Sequence, residues 1–152
     1  SDHRALAALR PKMLGLSAQR SLGAHPYFVP PEHTAVAREA LGNGPLLMPE
    51  QAVVVETDPS AAREAARAFC SIYLQLPNYT NNLRDLGYGD DDLADGGSDR
   101  LLDAIVAWGS PAEIAERVRA HHDAGADHVC IQTIGPMPPQ RAWEELASVL
   151  GS

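Results

Sequence analysis

The stretch PEQAVVVETDPSAAREAARAF, Pro49–Phe69, carries the pattern that decides the fold. It contains the clearest buried strand of the chain, because Val53–Val55 form a continuous β-branched run. A run that is apolar on both faces is typical of a parallel strand covered by helices. Asp58–Ser60 then leads into an alanine-rich helix with core residues at helical spacing. A strand followed directly by a helix is the repeating unit of an α/β fold.

The same order of strand and helix recurs on both sides of this stretch. Strand-like runs at Arg4–Leu9, Ala24–Val29 and His128–Ile134 are each followed by a helical pattern. The connections are short, apart from a polar insertion at about residues 77–99. Alternating units predict a parallel sheet with right-handed crossovers. Periodicity alone leaves open a small open sheet or half of a (β/α)8 barrel, which needs about 250 residues when complete.

Other segments give more specific expectations. Arg100–Gly109 has a helical pattern, and Ser110–Glu113 is a capping box that begins the next helix. The acidic run Gly89–Gly97 predicts a mobile, solvated loop within the insertion. Trp108 and Trp143 are interpreted as packing residues of helices because they stand at core spacing.

Composition limits the class of protein. A chain of 152 residues suffices for one domain with a real core. The formal net charge of -8 argues against nucleic acid and anionic membrane surfaces as partners. No apolar run approaches the roughly 20 residues of a membrane span, and no secretory leader is recognisable. Cys70 and Cys130 are expected to be reduced, and the predicted location is the cytoplasm.

Several kinds of site lack their sequence signature. The chain has no glycine-rich phosphate loop of the dinucleotide or Walker type, and no GxSxG nucleophile elbow. His121 and His122 are adjacent, so they lack the four-residue spacing that converges on one metal ion. No metal site is predicted.

Three stretches carry a resemblance to a known family. They are LAALRPKMLGLSAQRSLGAHPYFVPPEHTAVAREALG, PEQAVVVETDPSAAREAAR and GSPAEIAERVRAHHDAGADHVCIQ. Together they resemble the luciferase-like monooxygenase superfamily, and within it the actinobacterial oxidoreductases that use the deazaflavin coenzyme F420. The resemblance covers nearly the whole chain but only the carboxyl-terminal half of such an enzyme. Arg10 stands where the family often has glycine.

The resemblance implies an α/β fold that is the carboxyl-terminal half, about strands 5–8, of a TIM (β/α)8 barrel of the bacterial luciferase-like type. Residues 1–152 would then form a single partial domain. The fifth to eighth barrel strands would be Arg4–Leu9, Ala24–Val29, Glu50–Glu56 and His128–Ile134.

The resemblance also implies a cofactor site at the loop that joins the fifth strand to its helix. The residues are Leu9, Arg10, Pro11, Lys12 and Met13. Unpaired N–H groups and the helix dipole favour an anion at such a position, and the two basic side chains would add charge. The alternative is that these basic side chains are a solvated pair on an ordinary loop.

Polar residues at the carboxyl ends of the other strands form the expected substrate pocket, because barrel enzymes place their active sites on that face. His25 and Tyr27 belong to the carboxyl end of the sixth strand, Glu56 ends the seventh, and Gln132 and Thr133 end the eighth. For His25, a packed or loop-bonded role remains the alternative.

The expected activity is hydride transfer between a flavin-type cofactor and a small organic substrate, with coenzyme F420 as the first expectation and FMN as the alternative. The residues that seat the ring and exchange hydride are expected in the missing half. A half-barrel leaves strand edges and an apolar interior uncovered. The chain is therefore expected to be a fragment, to pair with the missing half, or to form a homo-oligomer, and to be inactive alone. A non-catalytic half-barrel that acts as an assembly partner is the alternative function.

Overall fold

The computed structural model describes residues 3–151, so the predicted domain limits, residues 1 and 152, lie outside the described part of the chain. In chain order the elements are β1 (Ala5–Leu6), α1 (Pro11–Arg20), β2 (Gly23–Ala24), α2 (Pro31–Leu41), β3 (Leu46–Leu47), β4 (Glu50–Val55), α3 (Pro59–Tyr73), α4 (Pro77–Asp85), α5 (Asp90–Leu93), a 3-10 turn (Ala94–Gly96), α6 (Asp99–Ile105), β5 (Val106–Gly109), α7 (Pro111–Asp123), β6 (Cys130–Thr133) and α8 (Pro139–Leu150).

All the strand pairs are parallel, and they form two ladders in the orders β1-β2-β3 and β5-β4-β6. Backbone hydrogen bonds join the ladders, because Met48 N–H donates to the Ala24 carbonyl at 2.9 Å and Glu50 N–H to the Pro26 carbonyl at 2.8 Å. Consequently β2 lies beside the first half of the β3–β4 segment and β5 beside its second half. Strand β6 occupies the other edge of β4.

Strand β5 corrects the sequence prediction. The predicted helix ends at Ile105, and Val106–Gly109 pairs in register with Ala52–Val55. Trp108 therefore lies on a strand rather than on a helix. Trp143 lies on α8 with 46% of its surface exposed, so its interpretation as a packing residue is wrong.

The insertion at residues 77–99 is also more ordered than its composition predicts. It contains α4, α5 and the 3-10 turn, and Leu83 on α4 is fully buried. Within the acidic run, Asp92 accepts hydrogen bonds from the Ser98 hydroxyl at 2.7 Å and from the Arg100 guanidinium at 2.5 Å. The prediction of a loop over Gly89–Gly97 is therefore wrong, because the run forms α5 and the 3-10 turn, although most of its residues are exposed to solvent as predicted.

The strands present two faces, because successive side chains point to opposite sides. We call the face that carries His25, Tyr27 and Glu50 the inner face, and the opposite one the outer face. Helices α1, α2, α7 and α8 pack as a row against the outer face. Helices α3 and α6 pack on the inner face, over Ala52 and Val54. The inner face is thus covered near the carboxyl ends of β4 and β5.

The amino-terminal part of the inner face remains open. Ala5 and Ala7 are exposed, and Leu46 is 40% exposed. Small and apolar side chains in this position are typical of a surface that faces other strands across a barrel.

Local sequence signals account for the helix starts near the carboxyl ends of the strands. The Asp58 carboxylate accepts the Ala61 N–H at 2.9 Å, so Asp58 is the N-cap of α3. Ser110 and Glu113 form the predicted capping box of α7. No helix within residues 3–151 combines the length and the apolar composition needed to cross a membrane.

Candidate functional site

A cavity of about 240 Å³ opens where β1 and β2 end, between these strands and helix α4. Its lining comprises Ala7, Ala8, Leu9, Arg10, Met13, His25, Tyr27, Asn78 and Tyr79. The structure therefore brings together part of the predicted cofactor loop and two of the predicted substrate residues. Asn78 and Tyr79 were not predicted, because they belong to the insertion that the sequence pattern left without a clear fold.

The predicted cofactor loop begins helix α1, with Arg10 as its N-cap and Pro11 as its first residue. Within the described chain, no side chain caps this helix and its first turn holds no acidic residue. Arg10, Pro11, Lys12 and Met13 also line a second cavity of about 430 Å³. Open N–H groups, the helix dipole and the exposed Lys12 side chain favour an anion, so these residues fit the polar tail of a flavin-type cofactor.

Arg10 is less available than the sequence suggests. Its Nε lies 2.9 Å from the Asp85 carboxylate at the end of α4. Both side chains are more than half exposed, so the ion pair contributes about 1 kcal/mol or less and is screened by salt. Asp85 therefore offsets part of the charge that Arg10 would offer to an anion, whereas Lys12 forms no ion pair with any residue of the described range 3–151.

His25 has a defined tautomer. Its Nδ1 lies 2.6 Å from the Met48 carbonyl oxygen, and a carbonyl can only accept. Nδ1 therefore carries the proton and donates a hydrogen bond to the Met48 carbonyl oxygen, between β3 and β4. Nε2 is then the acceptor of the neutral ring. Sequence reasoning left a pocket role and a loop-bonded role open, and the structure shows that His25 lines the cavity while bonded to the neighbouring backbone.

Tyr27 joins three elements through its hydroxyl group. The hydroxyl donates to Oε1 of Gln132 on β6 at 2.7 Å, and it lies 2.9 Å from the Tyr73 hydroxyl on α3. Since the proton of Tyr27 is used on Gln132, Tyr73 is the donor of the second bond. Burial, together with the Tyr73 hydroxyl, raises the pKa of Tyr27. Tyr27 is therefore a neutral aromatic wall of the cavity, positioned by Gln132.

An aromatic cluster backs this wall. The ring of Tyr27 lies 5.3 Å from that of Tyr73 and 6.4 Å from that of Tyr79, measured between centroids. Phe28 and Phe69 extend the cluster. Phe28 has a left-handed backbone with φ of 62°, and the chain bends at this residue.

Glu50 is a buried carboxyl on the inner face that sequence reasoning assigned to a strand without a role. It is 4% exposed, and its Oε2 accepts the Phe28 N–H at 3.2 Å. Oε1 is buried and has no hydrogen-bond partner among the described residues. Burial raises the pKa of Glu50 to about 7, against the opposing effect of the Phe28 N–H. Glu50 is therefore poised between the neutral and the ionised form near neutral pH.

The remaining predicted substrate residues do not line the cavity. Gln132 reaches it only through Tyr27. Thr133 is in register with Val53, whose side chain packs on the outer face. Glu56 accepts the Asp58 N–H at 2.9 Å and lines a separate groove beside the start of α7.

The buried side chain of His121 joins neighbouring elements through hydrogen bonds. Its Nε2 lies 2.9 Å from Oε1 of Gln51, and its Nδ1 lies 2.8 Å from the Thr34 hydroxyl. These two bonds tie α7 to β4 and α2.

Within residues 3–151, no group of three or more His, Cys, Asp or Glu side chains is arranged to hold a metal ion. Cys70 is buried and Cys130 half-buried, and both are free thiols.

Comparison with solved structures shows which fold the half-barrel belongs to. One similar structure is an F420-dependent secondary alcohol dehydrogenase in complex with an F420–acetone adduct, with a TM-score of 0.59 and 13% identity over 88% of this chain. Another is a coenzyme F420-dependent tetrahydromethanopterin reductase from Methanopyrus kandleri, with a TM-score of 0.64 and 15% identity over 94% of this chain. The matches span 44% and 48% of those chains, respectively. The fold is the carboxyl-terminal half of a TIM barrel of the luciferase-like type.

Sequence comparison gives the family. No curated protein matches the chain. The family model described as luciferase-like monooxygenase matches residues 5–128, which include β1 to α7. The predicted resemblance is thereby confirmed, and the chain belongs to the luciferase-like monooxygenase family.

Proposed function

We propose that the chain is the carboxyl-terminal part of an F420-dependent oxidoreductase that transfers hydride to or from a small organic substrate. The observation that carries this proposal is the cavity at the ends of β1 and β2, bordered by the uncapped start of α1. The two similar structures named above are F420-dependent enzymes, which favours F420 over FMN as the cofactor.

The residues of the chain would bind and orient rather than carry out the redox step. The loop Leu9–Met13 would hold the anionic part of the cofactor, with Lys12 as its main cation. His25 and Tyr27 would form the substrate side of the cavity, and Gln132 would position Tyr27. Glu56 and Thr133 lie outside this cavity and would not contact the substrate there. The cofactor, when bound, supplies the hydride chemistry.

The chain would need further strands for turnover. It spans less than half of the similar chains, and its inner face is open near the amino ends of the strands. We propose that it pairs with the missing half-barrel or with a second copy in the cytoplasm, and that the isolated chain does not turn over substrate. Reduction of F420 with a panel of small alcohols measures the activity of the isolated chain, and robust turnover would contradict the proposal that this chain is inactive alone.

A non-catalytic assembly role is the second candidate. The exposed Ala5, Ala7 and Leu46 on the inner face favour it, because such a surface suits another sheet. A purely structural half-barrel would form its complex without binding F420, so cofactor binding separates the two functions.

The sharpest test uses Lys12, which is the only lysine in the sequence. An amine-reactive acylating reagent therefore modifies one side chain, and peptide mass spectrometry measures its rate. We expect F420 to protect Lys12 more strongly than FMN does. In a fluorescence titration, we expect Lys12→Gln to weaken F420 binding roughly threefold to fivefold, the size of one charge at a helix start.

Lys12→Arg is the matched variant that keeps the charge, and its affinity should stay near that of the unaltered chain. Equal acylation with and without F420, together with equal affinity of Lys12→Gln, would exclude the loop as the cofactor site.

A further inference from the structure

A fully buried histidine lies beneath the cofactor loop. His33 is the third residue of α2 and is 1% exposed. Its Nε2 lies 2.6 Å from the carbonyl oxygen of Leu9, the first residue of the loop. Since a carbonyl oxygen can only accept, Nε2 carries the proton and donates it to Leu9.

The other ring nitrogen of His33 makes no compensating contact. Nδ1 is buried and has no hydrogen-bond partner among the described residues. A buried polar atom without a partner costs stability, and an apolar side chain of similar size would fill the space without that cost. The hydrogen bond to Leu9 is therefore what the imidazole specifically contributes at this position.

The Leu9 carbonyl controls the direction of the loop. The peptide group between Leu9 and Arg10 is planar, so fixing the carbonyl towards His33 points the Arg10 N–H away from it. The next carbonyl, that of Arg10, accepts the N–H groups of Met13 and Leu14 at 3.0 Å each and thereby begins α1. One hydrogen bond from His33 thus fixes the peptide plane from which the helix start follows.

The same loop is held weakly on its exposed side. The ion pair between Arg10 and Asp85 is more than half exposed on both partners, so it restrains the side chain of Arg10 but is screened by salt. The contact from His33 is short and buried. It is the stronger of the two restraints on the backbone of the loop.

We propose that His33 is a positioning residue for the loop Leu9–Met13, which it holds in the conformation that receives the anionic part of a flavin-type cofactor. The inference rests on the proposed function only for the identity of the ligand. The restraint on the backbone is independent of it.

The test compares two substitutions of nearly equal size. Gln places an N–H donor as many bonds from Cβ as Nε2 of histidine, whereas Met has the length but no donor. His33→Met is expected to weaken F420 binding about tenfold, the effect of one hydrogen bond, and His33→Gln to restore most of the affinity. His121→Met serves as the control, because His121 is equally buried but does not contact the loop.

Amide hydrogen exchange supplies a readout that does not depend on the cofactor. The exchange rates of the two variants are compared under conditions in which both have the same free energy of unfolding. The Met13 and Leu14 amides should then exchange about tenfold faster in His33→Met than in His121→Met. Unchanged exchange at these amides would overturn the inference. If exchange accelerates but the unaltered chain does not bind F420, the restraint by His33 stands and the cofactor assignment of the loop fails.

Discussion

At the scale of single residues, Glu50 shows how a strand position acquires chemistry from its surroundings. In the sequence it stands two residues before the apolar run Ala52–Val55, and nothing in its neighbours marks it. In the fold it lies beneath Phe28, whose left-handed backbone presents an N–H to one carboxyl oxygen. Burial leaves the other oxygen without solvent or partner among the described residues.

We predict that Glu50→Gln removes a pH dependence of stability. Burial raises the pKa of Glu50 from its ordinary 4.5 to about 7 in the folded chain. The unfolded chain therefore releases this proton at lower pH, and the contribution of the group to stability is lost as the pH rises towards and through 7. The free energy of unfolding of the unaltered chain, relative to Glu50→Gln, should fall by about 3 kcal/mol between pH 4 and pH 8.

Urea unfolding at a series of pH values measures this difference. Glu144→Gln is the control, because Glu144 is exposed on α8 and its substitution should leave the slope unchanged. Parallel curves for the unaltered chain and Glu50→Gln would contradict the prediction, because they would show that folding leaves the pKa of Glu50 unchanged.

The candidate site could be predicted in part from the sequence. His25 and Tyr27 belong to the carboxyl end of one predicted strand and the loop Leu9–Met13 begins at the end of another, and the carboxyl ends of parallel strands meet at one edge. Tyr79 and Glu50 could not be found in this way. The first depends on the path of the insertion, and the second on a turn at Phe28 that the sequence does not reveal.

At the scale of elements, local signals predicted helix starts well. Pro11, Asp58 and Ser110 begin or cap helices where the sequence indicates them, because capping depends on residues within one turn. Strand β5 was missed for the opposite reason. Val106 continues the helical spacing of the preceding residues, and only its pairing with Ala52 on β4 makes it a strand.

We predict that Ser110→Ala lowers the free energy of unfolding by about 1 kcal/mol. The Ser110 hydroxyl accepts the Glu113 N–H at 3.4 Å, while the Glu113 carboxylate accepts the Ser110 N–H at 2.7 Å. Removing the hydroxyl leaves an N–H of the first turn of α7 without its partner. Ser148→Ala, near the exposed end of α8, is the control for loss of a serine hydroxyl, and equal effects of the two substitutions in urea unfolding would contradict the capping role.

At the scale of the whole molecule, the open inner face is the main departure from a closed barrel. Within residues 3–151, β1 pairs only with β2 and β6 only with β4, so each has a free edge. Leu46 lies on the inner face and is 40% exposed. Unpaired edges beside apolar side chains favour association with other strands.

We predict that Leu46→Asp weakens self-association of the chain or its pairing with a complementary half-barrel. A charge on the inner face would have to be buried in either complex, at a cost of several kcal/mol. Trp143→Asp is the matched control, because Trp143 is similarly exposed but lies on α8 of the outer row. Analytical ultracentrifugation measures the assembly, and equal effects of the two variants would contradict a role for the inner face.

One edge of the β3–β4 segment changes its pairing partner at Pro49–Gln51, from β2 to β5, while β6 pairs along the other edge. This change of partner has a geometric consequence. A barrel closes only when strand number, tilt and stagger agree around the whole circumference. A complementary half must therefore pair with the edge of β1 and with the edge of β6 at the same time. The stagger between these two edges along the barrel axis is already set within this chain. A half taken from a relative with a different shear would pair in register at one edge and out of register at the other. The shear of the donor barrel, rather than its overall sequence identity, should therefore decide which halves complement this chain.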